Sequence, residues 1–361
     1  MNLPEFYHGK RVFVTGHTGF KGAWLCRVLQ LWGAKVYGYA LQPPTKPSLF
    51  AIAGLSRGMQ SEIGDVRDGA HLLQAMQNFQ PEVVLHLAAQ PIVKEGYAQP
   101  AYTYETNVMG TVNVLEAVRQ CPCVKSFLNV TTDKVYLNHE WQKGYRESDE
   151  LDGWDPYSNS KSCSELVTAT YRRSFFLQPD GTCTLPITTA RAGNVIGGGD
   201  FAPNRIVPDC VRAALQNVPI AVRNPNSTRP YQHVLEPVMA YLLLAAAQVE
   251  DSALAGSYNV GPADSDSLTT RELADMFVNA WGEGVQWKSE QMDGPHEANF
   301  LKLDCEKLRT ALPWQPRWDA EEAIRRVVEW SKAWRNAGMP YENSDEMLRC
   351  MDAQIEAFLQ A

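Results

Sequence analysis

A glycine-rich turn near the N-terminus is the strongest constraint on how this chain folds. Gly16, Gly19 and Gly22 stand between an apolar, β-branched run, Arg11–Thr15, and a segment with helical character, Ala23–Trp32. A turn of this kind lets backbone amides at a helix N-terminus approach a pyrophosphate. We therefore predict a phosphate-binding strand–turn–helix unit; the alternative is a glycine-rich turn that holds no ligand.

Strands and helices alternate through the rest of the first half of the chain. Further strands are predicted at Lys35–Ala40, Pro81–Ala89 and Val124–Val130, and helices at Asp68–Phe79 and Ala101–Arg119. This order is typical of an α/β protein with a Rossmann-like, doubly wound parallel sheet. Right-handed crossovers then bring the carboxyl ends of all strands to one edge.

The alternation ends after about Gly193, which indicates a second, smaller unit. Proline and glycine cluster at Gly197–Pro208 and Asn224–Pro230. Capping-box patterns at Thr269/Glu272 and Asp319/Glu322 predict helices over Ser267–Trp281 and Asp319–Trp334. We predict a dinucleotide-binding domain at residues 1–194 with 233–260, and a mostly helical substrate-binding lobe at 195–232 with 261–361.

Charge and composition exclude several classes of protein. The chain of 361 residues carries 33 basic and 41 acidic side chains, a net charge of −8, without a dense basic run, so we expect no nucleic-acid partner. The longest apolar run, Val238–Ala247, is too short for a membrane span, which needs about 20 residues. No secretory signal is visible in the first residues. Eight cysteines without a CxxC pair and seven histidines without an HxxxH pair predict no metal site and reduced cysteines in the cytoplasm.

A tyrosine and a lysine are suitably spaced for proton transfer. Tyr157 and Lys161, in the run YSNSK, are four residues apart on a predicted helix after Asp155-Pro156, so both side chains lie on one helical face. Thr131 and Thr132 stand at the end of a predicted strand. A free tyrosine has a pKa of about 10; a nearby ammonium is expected to lower this pKa and make the phenol a usable base. The alternative is an exposed surface pair.

The GxxGxxG spacing together with YxxxK resembles the extended short-chain dehydrogenase/reductase superfamily. The resemblance implies a nicotinamide cofactor, NAD, and a Thr132 hydroxyl that bonds the substrate hydroxyl to be oxidised. Asn107 matches a position near the active site; its alternative is a core amide whose hydrogen bonds are made within the protein. The cofactor-binding residues that the resemblance implies are Gly16, Thr18, Gly19, Phe20, Gly22, Asp65, Val66, Ala88, Ala89, Asn107, Tyr157 and Lys161.

One expected cofactor ligand is missing. Relatives carry an acidic residue near the end of the second strand to hold the adenosine ribose, but no Asp or Glu occurs from Phe6 to Ser61. Gln42, Thr45 or the backbone is left to hold the ribose, whereas Lys46 or Arg57 would suit a 2′-phosphate. The residues alone leave NAD and NADP both open.

The run TTDKVY selects a reaction within the superfamily. Asp133 and Lys134 follow Thr132, where the nucleotide-hexose 4,6-dehydratases carry an acid/base pair and the sugar-nucleotide epimerases do not. The Asp-Lys form resembles the branch that acts on CDP-linked glucose. Further matching runs are GHTGFKG, LAAQPIV, RAGNVIGGGD, RPYQHV and PHEANFLKLD.

The resemblance implies a lyase reaction on CDP-D-glucose. The sugar is oxidised at C4, water is lost across C5 and C6, and hydride returns to C6, so that the cofactor is regenerated. Asp133 would protonate the C6 hydroxyl and Lys134, in its neutral form, would take the C5 proton. The alternative for this pair is a solvated surface position. Alternatives for the protein are an NAD-dependent epimerase or a dehydratase of another nucleotide hexose, and a non-enzymatic cofactor sensor.

The nucleotide sugar itself is expected to contact a further set of residues. Each arginine in this set has a surface salt bridge as its alternative. The resemblance also implies a homodimer or homotetramer built through Ala101–Arg119 and Asp155–Phe176, and a product destined for surface-polysaccharide deoxysugars such as those of the lipopolysaccharide O-antigen. The predicted substrate-binding residues are Gln90, Asn194, Arg205, Arg229 and His296.

Overall fold

A parallel sheet forms the centre of the protein. The computed structural model describes residues 1–263, 266–290 and 301–361. Within these ranges one sheet has seven strands in the order β10-β6-β5-β4-β1-β2-β3, all paired in parallel. The strands of this sheet are β1 Arg11–Thr15, β2 Lys35–Ala40, β3 Gln60–Ile63, β4 Val83–His86, β5 Ser126–Thr132, β6 Ile187–Ala192 and β10 Ser257–Val260. This order is the doubly wound arrangement, and the predicted fold class is confirmed.

Helices cover both faces of the sheet and also build the second lobe. A π-helical turn at Glu105–Met109 joins α6 to α7, another at Arg172–Phe176 follows α8, and a short 3₁₀ turn at Asp133–Val135 follows β5. The helices are α1 Leu3–Tyr7, α2 Phe20–Leu31, α3 Leu49–Ile52, α4 Gly69–Phe79, α5 Val93–Ala98, α6 Pro100–Tyr104, α7 Gly110–Arg119, α8 Pro156–Tyr171, α9 Ile206–Leu215, α10 Leu235–Glu250, α11 Thr270–Trp281, α12 Glu306–Ala311, α13 Ala320–Asn336 and α14 Asp345–Gln360.

Alternation along the strands divides the core into two layers. Val12 and Val14 of β1 belong to the core shared with α2, α10 and α14, whereas Phe13 between them belongs to the core shared with α4 and α7. All residues of β5 and β6 are buried. Burial on both faces also explains the apolar runs of β1 and β4 from which these strands were predicted.

The second lobe contains small sheets as well as helices. Strands β7 Asn194–Ile196, β9 Thr228–His233 and β11 Ser267–Thr269 form one sheet, and β8 Ile220–Val222 and β12 Trp287–Ser289 form another. The sequence pattern does not predict these strands: β7, β8, β11 and β12 have only three residues each, too few to show an alternation, and β9 begins within the proline-containing segment Asn224–Pro230. The core of the lobe lies between these strands and α9, α11 and α13.

Local capping signals locate helix starts well. Thr269 accepts from the backbone N–H of Glu272, whose side chain bonds back to Thr269, so the predicted capping box is present and α11 begins at Thr270. Asp319 caps α13 by accepting from the N–H of Glu322. In the part of the chain that the structure describes, no helix is both long and apolar enough to span a membrane.

Candidate active site

The glycine turn forms a close-packed cradle between β1 and α2. Gly16 has φ +77°, and a Cβ there would lie 2.7 Å from the Ala88 nitrogen. A Cβ on Gly22 would lie 2.2 Å from the carbonyl oxygen of Gly16. Gly19 is the N-cap of α2 and offers no side-chain acceptor to the first amides of the helix. The turn therefore suits a pyrophosphate, because side chains are excluded and the first amides of α2 have no side-chain cap.

The other predicted cofactor residues surround this cradle at the carboxyl edge of the sheet. The Thr18 hydroxyl donates to the Leu41 carbonyl at 2.9 Å, which ties the turn to the end of β2. Ala88 and Ala89 follow β4, where the Ala88 N–H donates to Thr15 Oγ1 at 3.1 Å. Phe20 is the first residue of α2. All of these residues lie on the edge where a dinucleotide binds in doubly wound sheets.

Asp65 and Val66 follow β3, as predicted, but the carboxylate of Asp65 has an internal partner. Its two oxygens accept from the Arg67 N–H and guanidinium at 2.9 Å, 2.9 Å and 2.6 Å. Partial burial raises the pKa of Asp65, and the bonds from Arg67 more than offset this, so its pKa lies below the usual value. Val66 is buried against Gly110, where a Cβ would lie 2.7 Å from Val66 Cγ2.

Tyr157 and Lys161 lie in the first two turns of α8, which Asp155 caps by accepting from the Tyr157 and Ser158 N–H groups. Lys161 Nζ donates to the Val130 carbonyl at 2.9 Å. Burial lowers the pKa of Lys161 to about 8, against the opposing effect of Glu165. Burial raises the pKa of Tyr157 to about 12, although a hydrogen bond with Thr132 lowers it. In the protein without its cofactor, the removal of the phenol from water outweighs the nearby cations; the lowering expected from the ammonium together with a cationic nicotinamide stays a prediction.

Asp133 and Lys134 occupy the 3₁₀ turn directly after β5. The Asp133 side chain is 0% exposed and that of Lys134 is 31% exposed. Asp133 Oδ1 accepts from Thr132 Oγ1 at 2.9 Å and from Lys134 Nζ at 3.1 Å. Thr132, Asp133 and Lys134 thus form one hydrogen-bonded chain, and the Thr132 hydroxyl is close enough to Tyr157 to lower the pKa of the phenol. The solvated surface position that was the alternative for Asp133 and Lys134 is thus wrong for the aspartate.

Two further cations, from α2 and from the start of α9, lie near these side chains. The Lys21 ammonium donates to the Tyr241 hydroxyl of α10 at 3.2 Å. Burial lowers the pKa of Lys21 to about 7; the nearby charges of Arg205 and Lys161 lower it further, and Asp133 opposes them. Arg205, the N-cap of α9, also acts on Tyr157. The second lobe therefore contributes a cation to the cleft above the sheet.

Asn107 and Gln90 form a buried clamp beside the site. The Gln90 N–H donates to Asn107 Oδ1 at 2.8 Å, and Asn107 Nδ2 donates to the Gln90 carbonyl at 3.0 Å and to Ser160 Oγ at 2.8 Å. The Gln90 side chain donates to Thr103 and accepts from the Ile92 N–H. Asn107 is thus a satisfied buried amide that ties the loop after β4 to α8.

The remaining predicted substrate residues come from the second lobe. Asn194 begins β7 and pairs in register with Tyr231 of β9. Arg229, on β9, is 8% exposed and donates to the Thr228 carbonyl at 2.9 Å. Arg205 is half-exposed and bonds Asp200 at 3.2 Å. His296 lies outside the described residues.

Sequence reasoning assigned no role to two polar residues near the site, Lys21 and Glu165. Lys21 belongs to the GHTGFKG run, and a lysine in the first turn of a helix opposes the helix dipole, which was a usable signal. Glu165, one turn after Lys161, is buried and accepts from Thr131, from Thr189 Oγ1 at 2.7 Å and from Arg191 Nη2 at 2.8 Å. No local signal identifies Glu165, because its partners come from β5 and β6.

The ribose side of the cradle favours NAD over NADP. Arg57, a candidate for a 2′-phosphate, donates to Asp345 at the start of α14 at 2.8 Å and to the Gly54 carbonyl. It is therefore engaged with the C-terminal helix. Ala40, the last residue of β2, is buried where relatives have an acidic side chain. Among the described residues, no cluster of His, Cys, Asp and Glu suits a metal ion.

Comparisons with known proteins cover most or nearly all of the chain. A family model described as GDP-mannose 4,6 dehydratase matches residues 13–327. The chain is 46% identical to the CDP-glucose 4,6-dehydratase of Salmonella typhimurium over 99% of this chain and 98% of that protein. These matches span both the sheet and the second lobe.

Solved structures reproduce the fold. The Thermus thermophilus UDP-glucose 4-epimerase, solved in complex with NAD, has a TM-score of 0.76 and 25% identity, with coverage of 89% of this chain and 99% of that one. The dTDP-glucose 4,6-dehydratase of Bacillus anthracis, also in complex with NAD, has a TM-score of 0.72 and 21% identity, with coverage of 90% and 96%. The second likeness, at this identity, shows the fold alone.

Proposed function

Because the chain belongs to the GDP-mannose 4,6 dehydratase family, we propose that it is a lyase that converts CDP-D-glucose to CDP-4-keto-6-deoxy-D-glucose, with NAD as a bound and regenerated cofactor. The observation that carries the proposal is the hydrogen-bonded chain Thr132–Asp133–Lys134 at the carboxyl end of β5, next to Tyr157. An epimerase needs the tyrosine, but it has no use for a second acid and base. The 46% identity to a CDP-glucose 4,6-dehydratase supports the same choice.

The cofactor is proposed to lie over the glycine cradle. Gly16, Gly19 and Gly22 leave room for its pyrophosphate, with Thr18 and Phe20 at the start of α2. Asp65 and Val66 border the adenine side, and Ala88 and Ala89 line the nicotinamide side. Bound NAD supplies the hydride acceptor for C4, the hydride donor for C6 and a positive charge beside the phenol.

Tyr157 is proposed to take the proton of the C4 hydroxyl, which Thr132 orients. Lys161 is held against the Val130 carbonyl, and its ammonium favours the phenolate that Tyr157 needs. The raised pKa of Tyr157 in the buried site makes this positive charge necessary. Oxidation at C4 then makes the C5 proton acidic.

Asp133 and Lys134 are proposed to eliminate water as a pair. One proton shift along their 3.1 Å hydrogen bond converts the ammonium and carboxylate into a neutral amine and a carboxylic acid. The amine of Lys134 takes the C5 proton, and the acid of Asp133 protonates the leaving C6 hydroxyl. Both residues then regain their original charges as water departs, and Lys134 returns a proton to C5 when C6 is reduced. The lysine afterwards takes up the proton that Tyr157 releases, which restores both groups for the next turnover.

The nucleotide part of the substrate is proposed to contact the second lobe, residues 195–232 with 261–361. Arg205 and Arg229 are the candidate partners of the pyrophosphate, because a guanidinium matches phosphate oxygens in charge and geometry. Asn194, Gln90 and His296 complete the proposed substrate set. The domain of residues 1–194 with 233–260 holds the cofactor in this scheme.

A homodimer or homotetramer in the cytoplasm is part of the proposal. Apolar side chains lie exposed along α8 and the neighbouring helix: Met109 is 51%, Leu166 54% and Phe175 47% exposed. Burial of such side chains favours association of two copies through these helices. Sedimentation of Leu166→Glu is expected to show a smaller species than the unaltered protein, and an unchanged species would contradict the interface.

The function is tested with CDP-, dTDP-, GDP- and UDP-linked glucose and detection of product mass. We expect one water to be lost from CDP-glucose. Deuterium at C4 is expected at C6 of the product; deuterium that is lost to solvent or kept at C4 would contradict the lyase. Lys134→Met should stop elimination. If the unaltered enzyme gives a product of unchanged mass but altered configuration, the epimerase alternative would be favoured.

A further inference from the structure

One oxygen of the buried Asp133 carboxyl group has no polar partner. Oδ1 accepts from Thr132 and Lys134, at 2.9 Å and 3.1 Å. Oδ2 is buried without a hydrogen-bond partner among the described residues. A carboxyl group bonded through one oxygen alone keeps its orientation only if packing restrains the other oxygen.

That packing comes from Gly193, in the link between β6 and β7. A Cβ built on Gly193 would lie 3.1 Å from Asp133 Oδ2, 3.6 Å from Asp133 Cγ and 3.3 Å from Pro230 Cγ. Three chain segments thus meet at a point where only a hydrogen atom fits comfortably. Gly193 is not among the residues with positive φ, so its backbone conformation does not require glycine. A Cβ there would instead press on the Asp133 carboxyl group, which would have to move by a few tenths of an ångström.

We infer that Gly193 is a positioning residue that sets the place of the Asp133 carboxyl group for the elimination of water. The inference rests on the proposed function, since it concerns the acid of that reaction. A methyl group at this position would move the carboxyl group by a few tenths of an ångström and alter its two hydrogen bonds. Proton transfer to a leaving hydroxyl is sensitive to displacements of this size.

The effect is expected in one half of the reaction. The nearest atoms to the added methyl group belong to Asp133 and Pro230, whereas Tyr157 and Lys161 are held from α8 by separate bonds. Oxidation at C4 should therefore continue when elimination slows. This split separates a positioning role from general damage to the fold.

The test compares Gly193→Ala with the unaltered enzyme on two substrates. With CDP-glucose we expect the single-turnover rate of water loss to fall about 10- to 100-fold. With CDP-6-deoxyglucose, which has no C6 hydroxyl, we expect the rate of C4 oxidation, followed as loss of two hydrogens in the product mass, to stay within about twofold. Gly256→Ala is the matched control, because its Cβ would meet only the flexible end of Lys307 at 3.3 Å; it should leave both rates unchanged.

A double-mutant cycle shows whether the methyl group acts through Asp133. In the Asp133→Asn background, added Gly193→Ala should change the residual elimination rate less than about twofold. An equal loss in both backgrounds would overturn the inference, because the methyl group would then obstruct the sugar directly. Equal elimination by Gly193→Ala and the unaltered enzyme would also overturn it. Absence of water loss from CDP-glucose by the unaltered enzyme would instead overturn the proposed function.

Discussion

The buried ion pair beneath the active site gives a quantitative test of the packing. The Arg191 and Glu165 side chains are 3% and 1% exposed and lie 2.8 Å apart. Arg191 also donates to the Tyr136 hydroxyl at 2.8 Å, and the pair raises the pKa of its guanidinium against the effect of burial. Removal of the arginine alone would leave a carboxylate in the core with only hydroxyl donors.

Arg191→Met is expected to lower the free energy of unfolding by about 3–5 kcal/mol, the usual cost of leaving one buried charge without its partner. The double variant Glu165→Gln with Arg191→Met should recover at least about 2 kcal/mol of this loss, because no charge is then stranded. Urea unfolding followed by tryptophan fluorescence measures both values.

Two outcomes would refute this reasoning. A loss below about 1 kcal/mol for Arg191→Met would mean that water reaches the pair and screens it, as at a surface. A double variant no more stable than the single variant would mean that the arginine stabilises through its packing and its bond to Tyr136, and not through the charge of Glu165.

Three further predictions follow from groups with altered pKa values and from the cradle. The folded pKa of Lys161 is lowered from 10.5 to about 8, so its ammonium destabilises the fold below pH about 8, and this penalty disappears toward pH 10.5. Lys161→Met should therefore raise the free energy of unfolding by on the order of 1–3 kcal/mol at pH 7 but not at pH 10.5. Equal gains at both pH values in urea unfolding would contradict this reasoning. Burial raises the pKa of Glu236 from 4.5 to about 7, so stability is lost as the pH rises from 4.5 to 7. Glu236→Gln should therefore raise the thermal midpoint of unfolding at pH 8 and change it little at pH 4.5. A larger rise at pH 4.5 than at pH 8 would be inconsistent with burial of the carboxyl group. Gly22→Ala places a Cβ 2.2 Å from the Gly16 carbonyl oxygen. The variant should weaken NAD binding at least about tenfold, since displacing the backbone costs of order 1–3 kcal/mol. Undiminished affinity in equilibrium dialysis would exclude the glycine cradle as the site of NAD binding.

Much of the sheet was predictable because the signals are local. Arg11–Thr15 and Lys35–Ala40 are strands with the predicted bounds, because their mostly apolar, β-branched and aromatic residues suit a buried strand. Asp68, predicted as the start of a helix, is the N-cap of α4. The predicted helix Ala101–Arg119 is interrupted by a π-helical turn, which no local pattern announced.

The site was predictable where its residues share one element. Tyr157 and Lys161 lie on one face of α8 because four residues make about one helical turn. Thr132, Asp133 and Lys134 follow each other in the chain, so their common location at the end of β5 needed only the strand to be recognised.

Contacts between distant segments were beyond the reach of such patterns. Gly193 meets Asp133 only because β6 lies beside β5. Lys21 reaches Tyr241 because α10 packs against α2. The sequence contains these residues but not their distances.

Local chemistry in the chain thus settles which groups are available: a cradle without side chains, a phenol with an ammonium one turn away, and an acid beside a base at a strand end. Folding decides their state. Burial raises the pKa of Tyr157 and lowers that of Lys161, and the packing of β6 beside β5 leaves one oxygen of Asp133 without a polar partner. The reason is physical: the identity of a group is carried by its own residue, whereas its solvation and its neighbours depend on residues far away in the chain.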